Sequence, residues 1–81
     1  MEVKFLLFAA ARDIAGCPEL SLPLKSSATV ADALQELIVR FPLLHQWKDV
    51  VRIAVNQQYA PMEMPLHQGD EIAVIPPVSG G

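Results

Sequence analysis

The chain is 81 residues long, 52% of them hydrophobic and 19% charged, with nine acidic against six basic side chains and a formal net charge of −3. That length holds one small core and no second domain. The basic residues Lys4, Arg12, Lys25, Arg40, Lys48 and Arg52 stand singly, so no basic stripe is present to neutralise phosphates, and nucleic-acid binding falls outside the expected functions.

Taken in chain order, Val3 to Phe8 is almost continuously apolar and β-prone, the pattern of a strand in the middle of a sheet. The run Phe5 to Ala11 has a superficial likeness to the apolar part of a signal peptide. It is short, however, Glu2 offsets Lys4, and Arg12 and Asp13 follow at once, so it is read as structure. No stretch approaches the ~18 apolar residues of a membrane span, and a soluble, cytoplasmic protein is expected. Ala9 to Ala15 favours a short helix, ended by Gly16 in the left-handed conformation and by Pro18, which cannot continue one. Glu19 to Leu24 alternates polar and apolar with period two, and Pro23 confines it to a sheet edge or a strand end.

From Thr29 to Phe41 the residues Val30, Ala33, Leu34, Leu37, Ile38 and Phe41 recur at helical spacing and form one apolar face. Thr29 occupies the N-cap position with Asp32 three residues on, a capping box with a shorter carboxylate, and Pro42 ends the helix. Leu43 to Trp47 has room for one further turn. Arg52 to Val55 reads as a strand, Gln58 to Met62 as a short one, Gly69-Asp70 as a turn, and Glu71 to Ile75 as a last strand stopped by Pro76-Pro77.

One long helix and five strands imply an α+β, two-layer fold, a mixed sheet packed on one main helix. Val3–Phe8 and Ile72–Ile75 show the least polar alternation, so they are the candidates for adjacent central strands. They can pair in parallel, because everything between them serves as the crossover. The expected organisation is a domain over residues 1–75 and a flexible tail over residues 76–81. The helix covers one sheet face only, and in the first strand Val3, Phe5 and Leu7 oppose Lys4, Leu6 and Phe8. Whichever set meets the helix, the other leaves large apolar side chains to be covered by a partner, by the short helix, or by the loop with Trp47.

The side-chain inventory for catalysis is thin. The single cysteine, Cys17, can form no intrachain disulfide and no Cys-rich metal site, and no basic neighbour is identified that would make it nucleophilic. His45 and His67 stand outside any ligand-spaced motif, so no metal site is expected. Asp70 and Glu71 face opposite sides of a strand start, the wrong arrangement for paired carboxylates. There remains the ending Pro76-Pro77-Val78-Ser79-Gly80-Gly81. Two prolines stiffen its exit, and two glycines without side chains make a thin arm whose α-carboxylate can be activated by adenylation, unless the segment is simply frayed.

Three segments together carry a resemblance: VKFLLFAAARDIAG (Val3 to Gly16), IAVNQ (Ile53 to Gln57) and GDEIAVIPPVSGG (Gly69 to Gly81). With this element order they resemble the ubiquitin-like β-grasp sulfur carriers, and specifically the MoaD family, the small subunits of molybdopterin synthase. The Pro-Pro step before a hydrophobic residue, a small hydroxyl residue and Gly-Gly is closer to that family than to the thiamine-pathway or tRNA-thiolating carriers. The resemblance implies a β-grasp fold and a sulfur-delivery cycle. Gly81 is adenylated by an E1-like (MoeB-like) enzyme that consumes ATP, is thiocarboxylated by a persulfide sulfur donor, and passes sulfur to cyclic pyranopterin monophosphate in the MoaE-like large subunit.

The same resemblance implies that catalytic side chains lie on the large subunit and that the chain binds no cofactor of its own. It implies a heterotetramer of two small and two large subunits, with Gly80 giving the tail its freedom. Phe8, Ile75, Pro76, Pro77, Val78 and Ser79 are expected to contact partners, and Arg12 to lie at the edge of that interface. The sequence departs from some relatives in carrying Val74 and Ile75 where they have aromatics. Three other functions stay open on the residues alone: a thiamine or tRNA sulfur carrier, a ubiquitin-like protein modifier, and an interaction domain with an inert tail.

Overall fold

The structure, a computed structural model, describes residues 1–77. The apolar N-terminal run forms β1 (Glu2–Leu7), followed by α1 (Ala9–Ala15) and β2 (Glu19–Pro23). Then come α2 (Val30–Arg40), a 3₁₀ helix (Pro42–Trp47), β3 (Arg52–Val55), β4 (Gln58–Tyr59) and β5 (Glu71–Ile75). The strands make one sheet in the order β2-β1-β5-β3-β4. As the apolar continuity of the two runs implied, β1 and β5 lie at the centre and pair in parallel, with Leu6 beside Ala73. The other pairings are antiparallel. Pro23, which has no N–H for a ladder, is the last residue of the edge strand β2.

The layer over one sheet face is α2, whose buried residues are Val30, Ala33, Leu34, Leu37 and Ile38. Its first N–H groups are all engaged. Asp32 N–H donates to Thr29 Oγ1, completing the capping box with the Thr29 N–H that donates to Asp32 Oδ2 at 2.9 Å. The N–H groups of Val30 and Ala31 donate to the carbonyls of Met64 and Met62, so the 60–66 loop clasps the helix start. Val3, Phe5 and Leu7 of β1 and Ile72 and Val74 of β5 meet this layer in a single core, with Ile53 and Val55 of β3. Ala11 of α1 lies in the same core, and Ile14 and Trp47 pack against it. The short helix and the Trp47 segment therefore thicken the covered side and leave the other face bare.

Among the boundaries that differ from the sequence expectation, β1 starts one residue earlier at Glu2, β2 stops one earlier at Pro23, and three others have a clear local cause. Phe8 is still extended but caps α1 instead of continuing β1, because its carbonyl accepts the N–H of Ala11 at 3.0 Å and of Arg12 at 3.4 Å. β4 stops at Tyr59: Ala60 still donates to Ile53, but Pro61 has no N–H with which to carry the ladder on. The turn after α2 begins at Pro42 as a 3₁₀ helix, proline being suited to a first helical position. Gly16 ends α1 at φ +78, the left-handed cap its position implied. Among the described residues no helix is long and apolar enough to cross a membrane.

Candidate functional site

The alternation of β1 sorts its side chains between two environments. Phe5 is wholly buried in the core, Leu6 is half-buried on the opposite face, and Phe8 is 46% exposed there. The register then extends that face across the sheet: Leu6 lies beside Ala73, Ala73 beside Ala54, and Ala54 beside Tyr59. Ala54 is buried, yet it is not part of the core cluster, since only its neighbours on this outer face hide it. The two alanines are too short to fill the sheet surface between larger side chains. The result is a concavity of about 310 Å³ lined by Leu6, Phe8, Ala54, Gln57, Tyr59, Glu71, Ala73 and Ile75.

Charge lies around this apolar floor. Arg52, paired in register with Ile75, holds its guanidinium 5.6 Å from the Tyr59 ring centroid, within cation–π range. Lys4 and Glu19 approach to 3.9 Å across the β1–β2 pair as an exposed ion pair of little energetic weight. At the other end of β5 the Asn56–Gln57 turn is pinned by Asn56, whose side chain donates to Asp70 Oδ1 and accepts from the Glu71 N–H, both at 3.0 Å. That pinning fixes where Gln57 borders the concavity.

A larger concavity of about 460 Å³ lies between the end of β2 and α2, lined by Pro23, Leu24, Lys25, Ala28, Asp32, Gln35 and Glu36. It offers no chemistry. Its one carboxylate with a distinctive environment, Asp32, is occupied by the helix cap, whose Thr29 backbone hydrogen bond holds the carboxyl below its ordinary value of 3.8. Among the described residues no group of three or more His, Cys, Asp or Glu could hold a metal ion.

Of the residues singled out from sequence, Phe8 and Ile75 come together in the outer concavity. Arg12 is exposed on α1, one turn along from Phe8, and does not line it. Pro76 is buried and Pro77 exposed at the exit of β5, whereas Val78, Ser79, Gly80 and Gly81 lie outside the described residues. Sequence reasoning passed over Ala54, Tyr59 and Ala73. Period-two alternation does mark Ala73 and Ile75 as one face of β5. Joining Ala54 and Tyr59 to that face requires the long-range β3–β5 register, which no local pattern encodes.

Residues 5–81 match the model of the ThiS family. A molybdopterin synthase sulfur carrier subunit from Arabidopsis thaliana is 41% identical over 81 residues, covering the whole of this chain and 84% of that protein. One from Chlamydomonas reinhardtii is 39% identical and covered in full by this chain. Among solved structures, SAMP1 from Haloferax volcanii superposes with a TM-score of 0.90 at 30% identity, each chain covered completely. A chain in the complex of subunits 1 and 2 of molybdopterin-converting factor from Helicobacter pylori superposes with a TM-score of 0.69 at 26% identity, again over all of both chains.

Proposed function

The chain belongs to the ThiS family, and from that membership we propose that it is the sulfur-carrying small subunit of a molybdopterin synthase, with Gly81 as the residue that bears the sulfur. The observation that carries this reading is the 41% identity with a molybdopterin synthase sulfur carrier subunit over an alignment that spans the whole of this chain, the segment from Pro76 to Gly81 included. Support for a large-subunit partner comes from the Helicobacter pylori complex, in which a chain of this fold is found with a second subunit.

The chemistry suits a chain without catalytic side chains. In an E1-like, MoeB-like enzyme the Gly81 α-carboxylate attacks the α-phosphorus of ATP, releasing pyrophosphate and leaving an acyl-adenylate. That step exchanges a poor leaving group for a good one. A persulfide donor then attacks the acyl carbon and expels AMP, and thiol reduction of the acyl disulfide leaves the thiocarboxylate. Inside the MoaE-like large subunit the thiocarboxylate sulfur is the nucleophile towards cyclic pyranopterin monophosphate; water then cleaves the resulting acyl thioester and returns the Gly81 carboxylate, and two such transfers, one for each sulfur, build the dithiolene. Acting as a sulfurtransferase in this way, the chain supplies the reacting terminus and the large subunit supplies acid and base. ATP is consumed by the activating enzyme, and no cofactor resides on the chain.

The outer concavity takes the docking role, with Phe8 and Ile75 as its apolar contacts and Arg12 at the margin. Pro76, Pro77, Val78 and Ser79 lead the terminus to the partner's pocket. Gly80 and Gly81 keep the arm narrow, since any Cβ there would widen it against a tunnel wall.

Intact mass of the purified chain before and after incubation with ATP, a sulfur donor and an activating enzyme of this class tests the reading. The expected result is a gain equal to exchanging one oxygen for sulfur, placed at Gly81 by fragmentation, and no gain in a chain lacking Gly81. An unchanged mass with an enzyme proven active on another carrier refutes it. Isopeptide attachment of the chain to lysines of other proteins would instead identify a modifier, and copurification with a thiamine or tRNA thiolation acceptor a different carrier.

A further inference from the structure

Ala9 has φ +50, the left-handed region that L side chains other than Asn and Asp seldom enter. The other non-glycine residues of this kind among those described, Asn56 and Gln57, are consecutive in the β3–β4 turn, where a tight hairpin calls for two left-handed residues. Ala9 has no such reason, for it is the first residue of α1 and lies in no hairpin.

Its neighbours supply one. Phe8 keeps extended dihedrals, φ −123 and ψ 155, so its side chain stays in the alternation of β1 and projects onto the outer face. Two residues after Ala9, Ala11 is fully buried in the core on the covered side. The chain must therefore pass from an outward-facing extended residue to an inward-packed helical one across Ala9 and Ala10 alone. The Phe8 carbonyl marks the reversal by accepting from both Ala11 and Arg12. Leu7 N–H is tied to the Pro18 carbonyl at 2.8 Å and Ala11 is locked in the core, so both flanks are fixed. If Ala9 relaxed to negative φ, the movement would fall on the residues between these anchors, Phe8 and Ala10, and of these it is Phe8 that lines the outer concavity.

We infer that Ala9 is a positioning residue, which by holding a left-handed turn keeps Phe8 on the outer face in the orientation that receives the partner. Strain at this one position serves as preorganisation of the contact. This rests on the docking role given to the outer concavity under the proposed function.

The test is a double-mutant cycle of Ala9→Val and Phe8→Ala, read as affinity for a molybdopterin synthase large subunit by titration calorimetry. A β-branched residue is excluded from the left-handed region, so Ala9→Val lowers affinity about tenfold when Phe8 is present and less than about twofold when it is alanine. Equal losses in both backgrounds overturn the inference, because Ala9 then acts apart from Phe8. A Phe8→Ala chain that binds like the parent refutes the docking role itself, a distinct result. D-alanine at position 9 keeps the test decisive should Ala9→Val not fold; a synthetic 1–16 segment can be ligated to the remainder at Cys17. D-alanine prefers the left-handed region, so it raises the thermal midpoint and leaves affinity within about twofold. A lower midpoint, or a complex about tenfold weaker, overturns the inference.

Discussion

Phe5 and Phe8 stand three residues apart on one strand-to-helix segment, on opposite faces of the sheet, and their removal should fail in opposite ways. Phe5 is wholly buried in the core. Phe5→Ala therefore costs about 3–5 kcal/mol, a large share of the roughly 4–12 kcal/mol available to a domain of 81 residues. A thermal midpoint lower by about 12 °C or more follows. Phe8 is 46% exposed, so about half of the ~1.5–3 kcal/mol of a fully buried phenylalanine is realised within the chain. Phe8→Ala should thus cost about 1 kcal/mol of folding stability, or about 4–8 °C. The unburied half is available to a partner, and its loss should weaken docking to a large subunit by about 1–3 kcal/mol. Urea unfolding measures the first quantity through the midpoint at unchanged slope, and titration calorimetry the second. If Phe8→Ala unfolds as readily as Phe5→Ala, Phe8 belongs to the core. If it binds like the parent, the outer face is not the docking surface.

Ala73→Leu adds its extra atoms to the floor of the outer concavity, so the stability read from urea unfolding should change by no more than about 1 kcal/mol while affinity for the large subunit falls by about tenfold. Thr29→Ala removes one half of the capping box and should cost about 0.5–2 kcal/mol in urea unfolding at neutral pH. The Asp32 carboxyl is held low first by the Thr29 backbone hydrogen bond, with the Thr29 hydroxyl and Lys25 assisting against desolvation. A carboxyl depressed in the folded state contributes stability that is present above its ordinary value of 3.8 and lost as pH falls through the folded value. Acidification below 3.8 should therefore cost the parent more stability than it costs Asp32→Asn, measured by urea midpoints across that range.

Most of the architecture was legible because local signals agreed with one another. The Thr29–Asp32 pair, the spacing of Val30 to Ile38 and the stop at Pro42 all describe the same helix, and tertiary packing had nothing to override. Gly16 and Pro23 likewise did what their covalent chemistry allows and little else. What alternation in β1 could not decide was which of its two faces meets α2. Both sets contain large apolar residues, and the choice depends on where α1 and the Trp47 segment settle. Ala11 entering the core resolved it, through a contact between helix and sheet that no window of sequence contains. The alanine floor was hidden for a related reason. Ala54 and Ala73 are unremarkable in their own strands and become a site only when β3 and β5 pair in register.

The parallel pairing of β1 with β5 has a functional consequence beyond stability. Parallel strands end at the same edge, so Phe8, next after β1, and Pro76, next after β5, leave the sheet side by side. Antiparallel pairing of these two strands would have sent them to opposite edges, a separation of about 17 Å for five-residue strands. As it is, a partner that seats Phe8 and Ile75 has already captured the start of the segment leading to Gly81. Delivery of the terminus then becomes an intramolecular event, with its effective concentration set by the six residues from Pro76 to Gly81. Lengthening that segment by a flexible Gly-Ser pair after Pro77 should leave docking affinity unchanged while slowing sulfur transfer. Equal loss of both would show that the tail, and not the face, supplies the binding energy.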